Sequence, residues 1–245
     1  QVFIILSSDI ISKCMLYWTD QDTYQFTDLS KLKHIGIKIS GGADSAIVAY
    51  MLFKTIEEGK YNTKVSILTT VHEEKAYQKV YSDKVLMWLI KEFPNVKIGE
   101  HLTNTCPAVK VGNKWTSTEY SSRQEDLLDE AYMLGIERHY NGITANPPKE
   151  VYEQFFSKEG EVLNGGTPER DEPNQPQCNN NPNQPSYRPL INTDKKGVAE
   201  LYKQYGLMDT LFKQTRSCEA WTHNFDKHCD DCWFCKERKW GFGTL

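Results

Sequence analysis

The segment Ile35-Gly-Ile-Lys-Ile-Ser-Gly-Gly-Ala-Asp-Ser45 restricts this chain more than any other. An apolar strand runs directly into Ser40-Gly41-Gly42-Ala43-Asp44-Ser45, and a helix follows at once. Across residues 44–57 the apolar positions Ile47, Val48, Met51, Leu52 and Ile56 recur at helical spacing, so one helix face is expected against a sheet. Adjacent glycines reach backbone conformations closed to other residues, which lets successive N–H groups converge on one anion. The helix start adds unpaired donors and the positive end of a dipole. Ser40 and Ser45 offer hydroxyls to the same oxygens. Asp44 would repel a phosphate, so it either caps the helix or helps hold a Mg²⁺ carried by a nucleotide. Two familiar phosphate motifs are excluded. Gly59-Lys60 is followed by Tyr61, not Ser or Thr, and no G-x-G-x-x-G is present.

The surrounding pattern predicts an α/β fold with a mostly parallel sheet flanked by helices. Strands are expected at 2–6, 13–18, 33–39, 64–70, 96–101 and 139–145, and helices at 44–57, 75–93 and 117–134. This core spans residues 1–156. Residues 157–189 break the pattern, holding six of the ten prolines, three glycines and six asparagines. Such a stretch builds no core of its own and reads as a solvated insertion, or as a lid over a neighbouring site. Residues 190–245 begin with a helix at 193–205 and end in a cysteine-rich tail.

Lys plus Arg is 29 and Asp plus Glu is 33, a net charge of −4 that gives no reason to expect general nucleic-acid binding. No apolar run approaches the ~20 residues of a membrane span. The opening QVFIILSSDIISK is too short and polar for a signal peptide, so a cytoplasmic location is expected. Cysteine usage agrees. The count is seven, odd and clustered, which disfavours a disulfide framework. Cys218, Cys229, Cys232 and Cys235 supply four thiolates, three of them on a tight knuckle. Zn²⁺ takes such a set tetrahedrally and leaves no place for catalytic water. An iron–sulfur cluster and unliganded thiols are the rivals. His223 and His228 are bystanders on this reading.

The SGGADS string resembles the pyrophosphate-binding loop of the N-type ATP pyrophosphatases, whose fold is that of the adenine nucleotide alpha hydrolases. In that family the loop grips the pyrophosphate end of ATP while a substrate oxygen attacks the α-phosphorus. The tail narrows the resemblance to the 7-cyano-7-deazaguanine synthase branch: Thr215-Arg216-Ser217-Cys218, then Cys229, Cys232 and Cys235, then Arg238 and Gly241-Phe242 follow its motif order. Pro189-Leu190-Ile191-Asn192-Thr193-Asp194-Lys195 is similar to its P-L-I-x-x-x-K segment, and Arg123 sits near its Arg before a helix. What the resemblance implies is an ATP-dependent C–N ligase that converts 7-carboxy-7-deazaguanine and ammonia to the nitrile, a step towards queuosine or another nucleic-acid modification. Ser40, Gly41, Gly42, Asp44 and Ser45 would hold ATP, Leu68, Thr69 and Thr70 would meet adenine, and Lys195 and Arg123 would neutralise phosphate charge with Mg²⁺ beside Asp44. The implied partners are a small deazapurine and ammonia, and the pattern leaves room for a homodimer. Two alternatives stay open. One is a related enzyme acting on another carboxylate or on a tRNA base, including thiolation through Cys106 and Cys178. The other is a nucleotide-binding protein whose catalysis has lapsed. The acceptor region departs from the branch. Gly142-Ile-Thr-Ala-Asn-Pro-Pro-Lys-Glu150 replaces its Tyr-Pro-Asp-Cys-Arg segment, and Leu68-Thr-Thr-Val-His-Glu73 lacks its Asp-Tyr-Gly.

Overall fold

The computed structural model describes residues 15–26, 29–112, 114–117, 119–155, 175–221 and 227–245, so the strand expected at 2–6 lies outside them. A short antiparallel ribbon, β1 (Leu16–Trp18) and β2 (Thr23–Gln25), comes first and turns Tyr17 and Tyr24 completely inward. Then β3 (His34–Lys38), α1 (Ala43–Gly59), β4 (Lys64–His72), α2 (Tyr77–Glu92) and β5 (Lys97–Cys106) alternate as the sequence pattern predicts. A hairpin, β6 (Val109–Val111) and β7 (Lys114–Thr116), leads to α3 (Tyr120–Met133) and β8 (Arg138–Tyr140). The remaining elements are α4 (Lys149–Tyr152), β9 (Cys178–Asn179), β10 (Ser186–Tyr187), α5 (Lys195–Gln204) and α6 (Trp233–Phe242).

The central sheet has six strands in the order β5-β4-β3-β8-β10-β9, parallel throughout except for β9 at its edge. Helices cover the sheet; on β3, Ile35 and Ile37 share one face and have no exposed surface, while His34, Gly36 and Lys38 lie on the other. The chain runs outward from β3 through β4 to β5, then crosses back to the other side of β3 as β8. Connections therefore diverge at the carboxyl ends of β3 and β8, where open α/β sheets leave a crevice.

Several elements differ from the sequence pattern for identifiable reasons. α1 is buried nearly all round, from Ala43 to Ile56, rather than on one face. Its outer side is covered too: Tyr202 of α5 donates to the Ala43 carbonyl at 2.8 Å, and Tyr50 packs on Phe93 and Tyr205 with ring centroids 5.5 Å from each. β4 and β5 run on past 70 and 101 because their ladder continues unbroken to the His72–Cys106 pair. β8 stops at Tyr140, where Gly142 and then Pro147-Pro148 end the extended run. Ser186 and Tyr187 are buried and join the sheet as β10, with the Tyr187 ring 5.4 Å from Phe26 and 5.9 Å from Tyr140. Residues 157–174 of the insertion lie outside the described residues. Among the described residues no helix is long and apolar enough to cross a membrane.

Burial makes the fold acid-sensitive. Desolvation, helped by Lys75, pushes the His72 imidazole down to about 4, and desolvation with Lys38 and Arg188 pushes His139 down to about 3. An unfolded histidine takes its proton near pH 6.5. Below that pH the unfolded chain binds protons the native state refuses, so stability present above 6.5 is lost as pH falls toward 4. Urea titrations at pH 7 and pH 5 should differ by about 2 kcal/mol for each histidine. The His139→Gln variant should show a smaller difference; an equal one would exclude His139 as a source.

Candidate functional site

The loop after β3 owes its shape to Gly41, whose φ of +82° lies in the left-handed region. A Cβ there would sit 2.7 Å from the Ser82 nitrogen and 2.8 Å from the Tyr81 carbonyl carbon, both main-chain atoms of α2. Gly42 is extended and opens α1 without any side-chain cap, so the first-turn amides stay available for an anion. The capping role considered for Asp44 is therefore not the one it takes. The two serines brace the turn from within. The Ser40 amide donates to Ser45 Oγ at 3.2 Å, the two hydroxyls lie 3.1 Å apart, and Ser45 Oγ donates to the Gly42 carbonyl at 3.2 Å. The Gly42 amide donates to Ser40 Oγ at 3.3 Å.

This loop forms one wall of a pocket of about 230 Å³ at the β3/β8 switch point. Ser40, Gly42, Asp44 and Ser45 line it from one side, Asn141, Gly142 and Ile143 from beyond β8, and Tyr120 and Gln124 from α3. Gly142 can lie so close only without a side chain, since a Cβ would come within 2.5 Å of the Ser45 nitrogen. The last lining residue, Lys38, was not among the expected site residues. Its signal was present in the sequence: a lysine inside an apolar strand, two positions before Ser40 and so on the same strand face.

The expected cations are placed differently. Lys195 opens α5, is 2% exposed, and pairs with Asp44 Oδ2 and, at 3.6 Å, with the fully buried Glu237. Its charge is already met by two carboxylates, so it anchors α1 to α5 and α6 instead of facing the pocket. Arg123 is half exposed and bonds its own helix, to Glu119 at 3.0 Å with Asp126 at 3.9 Å; it does not line the pocket. Leu68, Thr69 and Thr70 are interior to β4. The Leu68 carbonyl accepts from the Ile39 amide at 3.0 Å, and Thr69 Oγ1 bonds the Ile39 carbonyl, Ser82 and His101. The carboxyl end of β4 is His72, whose ring stacks on Tyr120 at 4.4 Å.

Asp44 has a second oxygen, Oδ1, that is buried with no hydrogen-bond partner. That donor fits a hard cation such as Mg²⁺ accompanying a polyphosphate.

The four cysteine sulfurs of Cys218, Cys229, Cys232 and Cys235 lie within 4.8 Å of one another, and they form a group that could bind a metal ion. Cys229 and Cys235 are 3.8 Å apart, the separation of about 3.8 Å set by a tetrahedron with metal–sulfur bonds near 2.3 Å. So tight a set suits one ion, because a multi-iron cluster interposes its own sulfides and spreads the cysteines. Hydrogen bonding among the thiols lowers the pKa of Cys218 and raises those of Cys232 and Cys235. His223 lies outside the described residues. The metal group is joined to the loop by the strap before it: the Arg216 amide donates to the Gly41 carbonyl at 2.8 Å.

A scan against protein-family models finds no match, and a search of curated proteins finds none. Among solved structures, the chain is similar to the U34-tRNA thiolase NcsA from Methanococcus maripaludis with its 4Fe-4S cluster, at 13% identity and a TM-score of 0.42, over 71% of this chain and 57% of that one. It is also similar to the NAD⁺ synthetase from Burkholderia pseudomallei, at 15% identity and a TM-score of 0.40, over 88% of this chain and 76% of that one. The chain thus spans little more than half the length of the thiolase. At this distance the likenesses assign neither family nor activity, and both rest on the chain's own residues.

Proposed function

We propose that this chain is an ATP-dependent ligase of the 7-cyano-7-deazaguanine synthase type, acting in the reducing cytoplasm. The observation that carries the reading is the uncapped, serine-braced Gly41-Gly42 turn opening onto a pocket at the β3/β8 switch point. On this reading a carboxylate oxygen of 7-carboxy-7-deazaguanine attacks the α-phosphorus of ATP, and pyrophosphate leaves into the loop. Ammonia then displaces AMP to give the amide. A second ATP activates the amide oxygen, and loss of AMP with the amide protons gives the nitrile. The protein's part is to hold fixed donors where the leaving pyrophosphate gathers charge. The first-turn amides of α1 supply them, and the Gly42 amide and the Ser40 and Ser45 hydroxyls, which bond within the loop, would turn to the phosphate. Lys195 acts as a positioning residue that fixes Asp44, and Mg²⁺ bound to the nucleotide would meet Asp44 and screen the phosphates. Adenine is assigned to the carboxyl end of β4, at His72 and Tyr120 instead of Leu68–Thr70. The four cysteines are assigned to structural Zn²⁺, on their tight spacing.

Thiolation by paired cysteines receives no support from the sheet. Cys106 ends β5 at one edge and Cys178 lies in β9 at the other, with four strands between them. Mass spectrometry after incubation with ATP, ammonia and 7-carboxy-7-deazaguanine should find the nitrile, with AMP and pyrophosphate released. Release only when tRNA is supplied would replace this reading with base modification. No acceptor-dependent release at all would leave a nucleotide-binding protein.

A further inference from the structure

We propose that Lys38, rather than Lys195 or Arg123, is the cation that meets the ligand's anionic oxygens in the pocket beside the phosphate loop. This rests on reading that pocket as the nucleotide site. The anion is either a phosphate of the nucleotide or the carboxylate of the acceptor, and one cation of this kind suits both.

Among the described residues, the two fully buried lysines are each paired with a carboxylate, and half-buried Lys38 is not. Lys75 is 3% exposed and pairs with Glu219 at 2.8 Å, and Lys195 is 2% exposed and pairs with Asp44 and Glu237. Lys38 is half-buried on the rim of the phosphate loop, and its ammonium finds only the Gln124 Oε1 amide oxygen, at 3.5 Å, and no carboxylate within ion-pair distance among the described residues. Taking an ammonium out of water without a counter-charge is costly, and structures avoid it unless something else supplies the charge. Lys38 lines the same pocket as Ser40, Gly42, Asp44 and Ser45. Strand alternation explains the placement: Ile37 and Ile39 are buried in the core, while Lys38 and Ser40 share the other face.

Burial accordingly lowers the Lys38 ammonium to about 8, with Glu125 opposing the shift. Tyr120 of α3 lines the pocket with it, its hydroxyl bonded to Gln124 and kept neutral by burial. Glu125 and Gln124 stand on α3, Asp44 on the first turn of α1, and His139 on β8 is itself held neutral by burial and by Lys38. Its β4 neighbour is Leu68. A bound anion would raise the lysine back into the charged state, so binding above pH 8 takes up a proton and weakens as pH rises.

The test is calorimetric titration of the metal-loaded full chain with inorganic pyrophosphate and with MgATP, for wild type, Lys38→Met and Lys38→Arg, at pH 7 and pH 9.5. If the anion is a phosphate, Lys38→Met should weaken pyrophosphate binding at least about tenfold at pH 7 and Lys38→Arg should restore most of it, while the wild-type advantage should shrink at pH 9.5. If the anion is the acceptor carboxylate, pyrophosphate affinity should hold and the KM for the acceptor should rise at least about tenfold with the KM for ATP unchanged. Lys38→Met should melt no lower than wild type, since it removes a desolvated charge. A wild type that binds pyrophosphate, beside a Lys38→Met variant equal to it in both affinity and acceptor KM, overturns the proposal and spares the loop assignment. A wild type that binds neither pyrophosphate nor MgATP removes the loop assignment and the proposal with it.

Discussion

Gly42→Ala should leave the fold intact and remove most of the nucleotide affinity, whereas Gly41→Ala, one position earlier, should unsettle the fold itself. Gly42 is already extended, a conformation alanine adopts freely, and a Cβ there would meet nothing nearer than Ser40 Oγ at 3.4 Å. Replacing glycine at a compatible backbone position gains about 0.4–1 kcal/mol by restricting the unfolded chain. Losing the better capping residue costs a similar few tenths up to about 1 kcal/mol. The two effects offset, and the melting temperature should move by no more than a few degrees. The added methyl instead faces the pocket where a phosphate must come against the amides. Forcing that contact costs about 1–3 kcal/mol, a loss of roughly ten- to a hundredfold in ATP affinity. At Gly41 the left-handed φ alone costs about 1–2 kcal/mol for a non-glycine residue. The main chain of α2 blocks the Cβ as well, at 2.7 Å, so thermal melts of Gly41→Ala should drop clearly. Calorimetry on Gly42→Ala decides the matter: wild-type affinity for ATP in a well-folded variant means the phosphates bind elsewhere.

The contrast between these glycines marks what could be learned from the sequence. Features set within a few residues were legible. The strand, the double glycine and the helix of 35–59 follow from local chemistry, as does the clustering of Cys229, Cys232 and Cys235. Features set by distant partners were not. Lys195 is a lysine at a helix start in any local reading; only the fold brings Asp44 and the buried Glu237 to it from the two ends of the chain. Arg123 could have pointed either way until α3 gave it Glu119, one turn back, as a partner. The length of β4 was hidden because Val71 and His72 sit beside a charged turn, and pairing with β5 out to Cys106 overrides that local signal. The Asn- and Pro-rich composition of 175–189 hid β10, whose place is secured by Tyr187 against Phe26 and Tyr140 and by parallel pairing with β8. Lys38 was the reverse case, present in the strand motif but carrying meaning only once its place on the pocket, without a carboxylate partner, was seen.

Stripping the metal, by chelation or through Cys232→Ser, should lower stability and nucleotide affinity together. The four cysteines bring Cys218 against the Cys229–Cys235 knuckle, and α6 starts directly after Cys232. From that junction the strap of residues 215–220 reaches across the molecule. Arg238 of α6 donates to Thr215 Oγ1 at 2.9 Å and to Ser217 Oγ at 3.0 Å. Tyr77 of α2 donates to the Ala220 carbonyl at 2.7 Å, and Lys75 pairs with Glu219 at 2.8 Å. In the middle, the Arg216 amide holds the Gly41 carbonyl. Zinc–thiolate bonding in small peptides is worth about 10–16 kcal/mol, but here the sheet and α1 persist without it. A loss of about 5 kcal/mol is therefore expected, equivalent to a fall of about 10–20 °C in Tm for a chain of this size. Freed from Arg216, the Gly41 turn should also bind ATP about tenfold more weakly, the effect of one backbone hydrogen bond of about 1.4 kcal/mol. Cys178→Ser, an exposed thiol on β9 outside the group, should change neither quantity. Metal analysis should return one zinc per chain without visible absorbance, and iron with such absorbance would displace zinc. An apo variant that melts low yet binds ATP like wild type would show that the strap stabilises the tail without shaping the loop.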